Sequence, residues 1–356
     1  MPGERREAAV TLLFRLASVV FALLLTALVL ALVQAPPLEA FRLILKGAFG
    51  SPKKVADIFV IWIPLLLTSA GLLLTFHAGL WNIGIEGQIV LGAVFATGVL
   101  RYLQDTDVAP ALALTLAFVA AALGGMIWAL LSGVLKVYGG VNEIFSGLGL
   151  DFVAVTLVLY LVFGPWKRPG VGSMSGTEPF PRELWLPTFE KMRLSPWALA
   201  LALAAWLVVI LLLQRSYFGL RLRAVGRNPR AAYLMMGLSP ARLTLVAFAV
   251  CGVFAGLAGA IQVTAVYHRL IPAISSGYGW LGLLVGMLVN YSPIWIGPVA
   301  WFFAMLNLGS IQLPIVLKVD STLAGVLQGT LVYAFLLGEG LRLKWQQRRQ
   351  TAEEAA

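Results

Sequence analysis

Residues 270–317 form a run of 48 without a single Asp, Glu, Lys or Arg. A water-facing surface needs polar and charged groups, and a chain with 60% hydrophobic and 12% charged residues cannot hide its apolar side chains in one core. One membrane crossing takes roughly 20 residues, so the run is too long for one and right for two. Shorter uncharged runs recur at 16–38, 58–76, 87–100, 108–135, 152–166, 194–214, 243–267 and 321–338. In lipid every backbone polar group needs an internal partner, which makes these runs helices. They are too long and too continuous for the alternation of barrel strands. The fold class expected is all-α: a polytopic transmembrane helical bundle of about ten helices, residues 1–356 forming one membrane domain.

The long run needs an internal turn. Asn290-Tyr291-Ser292-Pro293 supplies it, since Pro293 breaks a helix and Asn, Ser and Pro favour turns. At the N-terminus, Arg5, Arg6 and Arg15 precede an apolar stretch that is long for a signal peptide, and it is read as a first transmembrane helix. Orientation follows the basic loops. Residues 215–242 hold six arginines (Arg215, Arg221, Arg223, Arg227, Arg230 and Arg242) and no acid, and the C-terminal tail adds Arg342, Lys344, Arg348 and Arg349. Both are placed in the cytoplasm together with the N-terminus, which ten crossings allow. The net charge of +10 is then explained by loops facing an anionic leaflet, not by nucleic acid. Residues 165–195, rich in Gly, Pro, Trp and charge, fall outside as an extracytoplasmic loop. It is either a solvated connector or a docking surface for a substrate-delivering protein.

Polar residues are scarce, so their clusters mark candidate chemistry. His77-Ala78-Gly79-Leu80-Trp81-Asn82-Ile83-Gly84-Ile85-Glu86-Gly87-Gln88 interrupts apolar sequence with glycines, amides and an acid. It reads either as a tight cytoplasmic turn with Glu86 in water or as a broken helix beside a solute pathway, where freed backbone and a carboxylate are tolerated. Gly139-Gly140-Val141-Asn142-Glu143 opens a helix: Asn142 suits its N-cap and Glu143 its first turn. Asp151, two turns further along, has apolar neighbours and is the more suspicious acid. Within the basic loop, Asn228-Pro229 starts a short helix that Gly237 ends. That helix is suited to a cleft on a partner protein or to lipid headgroups. Tyr278 and Trp280 are read first as interfacial aromatics.

Several chemistries have no residues to carry them. The chain lacks a Walker phosphate loop, and with only His77 and His268 a multi-histidine metal site cannot be assembled. No Ser-His-Asp or zinc-protease arrangement occurs, so covalent chemistry is not expected. The one cysteine, Cys251, cannot form an intrachain disulfide.

Together these segments resemble the permease subunits of bacterial ABC importers in the branch that includes ribose-type and branched-chain amino-acid permeases. The nearest resemblance is to the nucleoside and simple-sugar permeases that work with lipoprotein receptors. It is carried by Gly79-Leu80-Trp81-Asn82-Ile83-Gly84 with Glu86-Gly87-Gln88, and by Val141-Asn142-Glu143-Ile144. Gly226, Asn228, Ala231-Ala232 and Gly237 match the coupling-loop motif, and Gly277-Tyr278-Gly279 with Asn290-Tyr291-Ser292-Pro293 a later one. Asp151 stands where the family pattern has Asn. The resemblance implies a type II-like ABC importer permease with broken helices in a bacterial inner membrane, moving nucleosides or related sugar-containing solutes by alternating access. It implies two cytoplasmic ATPase subunits that use ATP and Mg, a second and different permease, and an extracytoplasmic binding lipoprotein, with no cofactor on this chain. Pathway candidates are Trp81, Asn82, Glu86, Gln88, Asn142, Glu143 and Asn290. Coupling to the ATPase falls to Gly226, Asn228, Pro229, Ala231, Ala232 and Gly237. Branched-chain amino acids or simple sugars are the alternative cargo. An ion-coupled secondary transporter using Glu86, Glu143 and Asp151 is the rival mechanism.

Overall fold

A computed structural model of the chain describes residues 34–170 and 176–320 throughout and parts of 17–32 and 322–344. The arginines expected to orient the N-terminus, and Arg342, Arg348 and Arg349 of the tail, lie outside the described residues. Among the described residues every regular element is helical. In order they are α1 (Leu23–Leu32), α2 (Pro37–Phe49), α3 (Pro52–His77), α4 (Ile85–Leu103), α5 (Pro110–Val137), α6 (Glu143–Phe163), α7 (Pro196–Gln214), α8 (Tyr217–Arg227), α9 (Pro229–Met236), α10 (Pro240–Ile261), α11 (Tyr278–Leu288), α12 (Ile296–Ser310) and α13 (Gln312–Leu317). α10 continues through a π turn, Gln262–Val266. A 3₁₀ turn, Arg182–Leu184, is the short helix of the 165–195 loop.

Among the described residues six stretches are long and apolar enough to cross a membrane: α3, α5, α6, α7, α10 with its π turn, and α12–α13. The pair α1 and α2, bent by 111°, makes a seventh if counted as one span. The remaining intramembrane helices are shorter or more polar. α4 has 19 residues and carries Glu86, Gln88 and Arg101, and α11 has only 11. The uncharged 270–317 run therefore does not fold as two full crossings. Its first part begins as loop and becomes helix only at Tyr278. The turn after α11 falls where Asn290-Tyr291-Ser292-Pro293 was expected, with Asn290 and Tyr291 at φ 49° and 60°.

The chain forms two compact units, residues 1–55 with 305–356 and residues 56–304. In the first, α2 meets α13 through Gly47, where a Cβ would stand 2.7 Å from Gln312 Cγ and from the Gly309 carbonyl. In the second, α4, α5 and α10 touch backbone to backbone. A Cβ on Gly92 would overlap Gly256, one on Gly125 would stand 2.7 Å from Gly256 N, and one on Gly252 would meet Ala129 Cβ at 2.6 Å. Lipid gives apolar helices no hydrophobic reason to associate, so close approach at small residues, which maximises dispersion contact, is what binds them. α3 is the most enclosed span, 83% buried over its apolar window against 33% for α5 and 28% for α6 and α7. The latter three carry the outward apolar surface of this unit.

Candidate functional site

α3 ends at His77, and residues 78–84 turn back into the bundle. Asn82 Nδ2 donates to Cys251 Sγ at 3.1 Å. Cys251 stands eleven residues after Pro240, about 16 Å along α10 at 1.5 Å per residue, near the middle of the Pro240–Val266 span. α4 therefore starts at membrane depth. Of the two sequence readings of this segment, the broken helix is the one observed: Glu86 is 7% exposed. Asn82 and Gln88 close on each other, Asn82 Nδ2 donating to Gln88 Oε1 (3.0 Å) and Gln88 Nε2 to Asn82 Oδ1 (2.8 Å). Reciprocal pairing satisfies both amides at a site where both side chains are fully buried.

α11 begins inside the bundle as well. Gln262 Nε2 holds the loop that leads into it, donating to the Ile274 carbonyl and to Ser276 Oγ, each at 3.3 Å. Gly277, at φ 73°, is the residue before the helix. Its N–H donates to Glu86 Oε1 at 3.0 Å, and the Gly279 N–H donates to Glu86 Oε2 at 2.7 Å. A Cβ on Gly279 would lie 2.8 Å from Glu86 N, so glycine is required for this approach. The first N–H groups of a helix have no partner within it and carry partial positive charge. Glu86, in the first turn of α4, satisfies two such groups at the start of α11. A second acid serves α4 itself: Asp151 Oδ1 accepts from the Gly87 N–H at 2.7 Å. Asp151 Oδ2 and Trp128 Nε1 are buried without a hydrogen-bond partner among the described residues.

The predicted pathway residues separate into groups. Trp81, Asn82, Glu86 and Gln88 come together at the start of α4, with Trp81 edge-on to Phe76 at 5.5 Å. Asn142 and Glu143 stay at the α5–α6 turn. Asn142 Oδ1 caps α6 by accepting from the Ile144 N–H at 2.8 Å, and Glu143 Oε2 pairs with Lys136 Nζ at 2.7 Å. Asn290 is exposed. It lines a cavity of about 310 Å³ with His77, Gly79, Arg223, Gly226 and Tyr291.

That cavity adjoins the basic hairpin. Asn228 Oδ1 accepts from the Ala231 N–H at 3.0 Å, Pro229 occupies the first turn of α9, and Gly237 ends it at φ 61°. Ala232 is buried and Ala231 partly so, while Tyr233, Leu234, Met235 and Met236 are exposed. Gly226 ties the hairpin to the re-entrant segment. Its Cβ, if present, would stand 2.9 Å from Ala78 C and Gly79 N.

At the other end of α10, the 176–195 loop is fastened to residues 264–270. The Thr177 N–H donates to the Leu270 carbonyl (2.9 Å), the Phe180 N–H to the His268 carbonyl (2.9 Å) and the Leu186 N–H to the Thr264 carbonyl (3.0 Å). Trp185 stacks on His268 at 3.7 Å and 8°. Burial, with Arg193 nearby, holds the His268 imidazole below its ordinary pKa of 6.5.

Sequence reasoning did not anticipate Gly277 and Gly279 as donors to Glu86, Cys251 as a partner of Asn82, or Trp128 beside Gly87. Each is a contact across 41 or more positions of an apolar chain, and nothing local marks it.

Apolar helices enclosing two that start at acid-capped breaks, above a basic hairpin with an exposed apolar helix, define a multi-pass membrane transport protein. Over residues 55–336 the chain matches the family described as branched-chain amino acid transport system / permease component. It belongs to that family and is a transport subunit. A glucose ABC transporter permease protein of Haloferax volcanii is 29% identical over 330 residues, 90% of this chain and 85% of that protein. A guanosine ABC transporter permease protein of Bacillus subtilis is 25% identical over 323 residues, 88% and 90% of the two chains. A nucleoside ABC transporter permease protein of Lactococcus lactis is 22% identical over 319 residues, 87% and 85%.

Proposed function

We propose that the chain is the membrane-spanning permease of an ABC importer that carries nucleosides or related sugar-containing solutes across a bacterial inner membrane by alternating access. The observation that carries this reading is the backbone contact of Gly226 with His77–Gly79. It places a basic hairpin with an exposed apolar helix directly against the segment that leads to Asn82 and Glu86. A push on α9 then reaches the start of α4 without passing through a flexible side chain.

In this reading residues 215–242 and both termini are cytoplasmic, and residues 165–195 are extracytoplasmic. Two ATPase subunits, which bind ATP and Mg, receive Tyr233–Met236. A second permease completes the membrane assembly, and a lipoprotein receptor docks on the 176–195 loop. Solute hydroxyls and base edges take over hydrogen bonds that Asn82, Gln88 and Glu86 now make internally, and Trp81 offers a ring face for stacking. Trp81, Asn82, Glu86 and Gln88 thus lead the candidates, while Asn142, Glu143 and Asn290 act through the turns they build. The guanosine, nucleoside and glucose permeases among the relatives support a cargo with a sugar ring.

The test is uptake of labelled guanosine, glucose and leucine into proteoliposomes holding the assembled transporter and its receptor. Guanosine uptake that needs internal ATP is expected. Uptake of leucine alone would overturn the cargo, and uptake driven by an ion gradient without ATP would overturn the mechanism. Ala231→Asp with Ala232→Asp is expected to preserve ATP hydrolysis while abolishing uptake, and normal uptake would remove the coupling assignment.

A further inference from the structure

We infer that the end of α5 and α7 nearest the 176–195 loop is a binding site for one membrane phospholipid, with an acyl chain between the helices and its phosphate on Arg182 and Arg193. A cleft of about 800 Å³ lies there, lined almost wholly by apolar side chains. It reaches from Pro110 to Phe118 on α5 and from Trp197 to Ala204 on α7. Eight residues of helix span about 12 Å, and one leaflet of a hydrocarbon core about 30 Å thick is about 15 Å deep. The cleft therefore has the depth of a single leaflet. On α5 and α7 its one hydroxyl, on Thr115, is already engaged with the Ala111 carbonyl at 2.7 Å, so between the helices an occupant meets no unmet polar demand. Leu112, Leu116 and Leu203 beside it are exposed, as lipid-facing residues are.

The polar half of the site adjoins the apolar half. A second cavity of about 530 Å³ shares Glu183, Trp185, Leu186 and Pro187 with the cleft and adds Arg182 and Arg193. Trp185 and Trp197 sit at the mouth, the level at which indoles collect in a bilayer. Among the described residues neither arginine has an ion-pair partner. Arg182 lies over the Trp185 ring at 5.9 Å. Glu183 is the one acid on the shared wall, so the site keeps a net positive charge for a phosphate. A nucleoside or sugar would leave its hydroxyls unpaired in the cleft. An amphiphile with apolar tails and a phosphate fits both halves.

The experiment uses the complete transporter complex, stripped of lipid in detergent and titrated in native mass spectrometry. The two probes are phosphatidylglycerol and a glucosyl-diacylglycerol with the same tails and no phosphate. Wild type is expected to bind phosphatidylglycerol in preference. Arg182→Gln with Arg193→Gln is expected to weaken it about thirtyfold, the factor that two arginines at about 1 kcal/mol each give when 1.4 kcal/mol is tenfold. Glycolipid binding is expected to stay unchanged in that variant. Ala204→Trp fills the cleft and is expected to lower binding of both. Equal binding of both probes by wild type overturns the phosphate assignment, and undiminished binding by Ala204→Trp overturns the cleft. Cross-linking of position 204 to the second permease in place of lipid overturns both. If Ala204→Trp does not assemble, the arginine variant, which alters only exposed side chains, decides alone.

Discussion

Replacing Glu86 by alanine removes the acceptor for two peptide N–H groups, those of Gly277 and Gly279, at 3.0 and 2.7 Å. A buried donor left without a partner costs about 1–3 kcal/mol, so the pair comes to about 2–6 kcal/mol. Water cannot fill the vacancy cheaply, because Glu86 is 7% exposed and a Cβ on Gly279 would already lie 2.8 Å from Glu86 N. Glu86→Gln keeps one acceptor oxygen but sets its amide N–H₂ against the other peptide N–H, so it falls between, at roughly half the alanine effect. For a unit of this size each kcal/mol moves the melting midpoint by about 2–4 °C, which predicts a loss of at least about 4 °C for Glu86→Ala. The assay is thermal unfolding of the purified permease in nanodiscs, joined to hydrogen exchange of peptides covering residues 274–282. Exchange at Gly277 and Gly279 should rise in both variants, and more in alanine. An unchanged midpoint with unchanged protection of those amides would refute the view that Glu86 holds the start of α11.

Gly256→Leu should prevent stable assembly or cost at least about 3 kcal/mol, since its Cβ already overlaps the Ala121 carbonyl and presses on Ala122 whatever the rotamer, whereas Gly149→Leu, with nothing within 4 Å of its Cβ, should stay within about 0.5 kcal/mol; yield and melting midpoint of the two variants decide. Gly226→Val should force the basic hairpin away from His77–Gly79 and uncouple ATP hydrolysis from uptake, and tight coupling in that variant would contradict the path of force proposed above. The neutral His268 ring is the form the fold favours, so its contribution to fastening the 176–195 loop is complete above pH 6.5 and is lost as pH falls below that value. Protection of the Thr177 and Phe180 amides, corrected for the intrinsic pH dependence of exchange, should therefore fall on acidification in wild type and much less in His268→Phe.

Features whose cause lies within a few residues were legible in the sequence. Asn142 and Asn228 cap the helices that follow them because a short side-chain oxygen reaches a peptide N–H two or three residues ahead. Gly237 ends α9 and Asn290-Tyr291 turn the chain for equally local reasons. The broken start of α4 was legible too, because amides and an acid are costly in an apolar stretch unless they have partners. The identity of those partners was not. Glu86 meets Gly277 and Gly279 across 191 and 193 positions, and Asn82 meets Cys251 across 169. Within 270–288 hydropathy registers that the residues are apolar but not that the first eight of them run as loop. Asn290 shares with Glu86 a polar side chain at a helix break, and the fold sets it beside the basic hairpin.

Where α4, α5 and α10 meet at Gly92, Gly125, Gly252 and Gly256, no side chain larger than the Ala129 methyl intervenes to serve as a bearing. Main chains in such contact must first part before one can slide along another, and lipid supplies nothing to fill the gap they would leave. The three are therefore expected to tilt and travel as a single strut. Spin labels on the outward faces of α5 and α10 would report one separation throughout the transport cycle, and the distances that change would be those measured from this strut to α11.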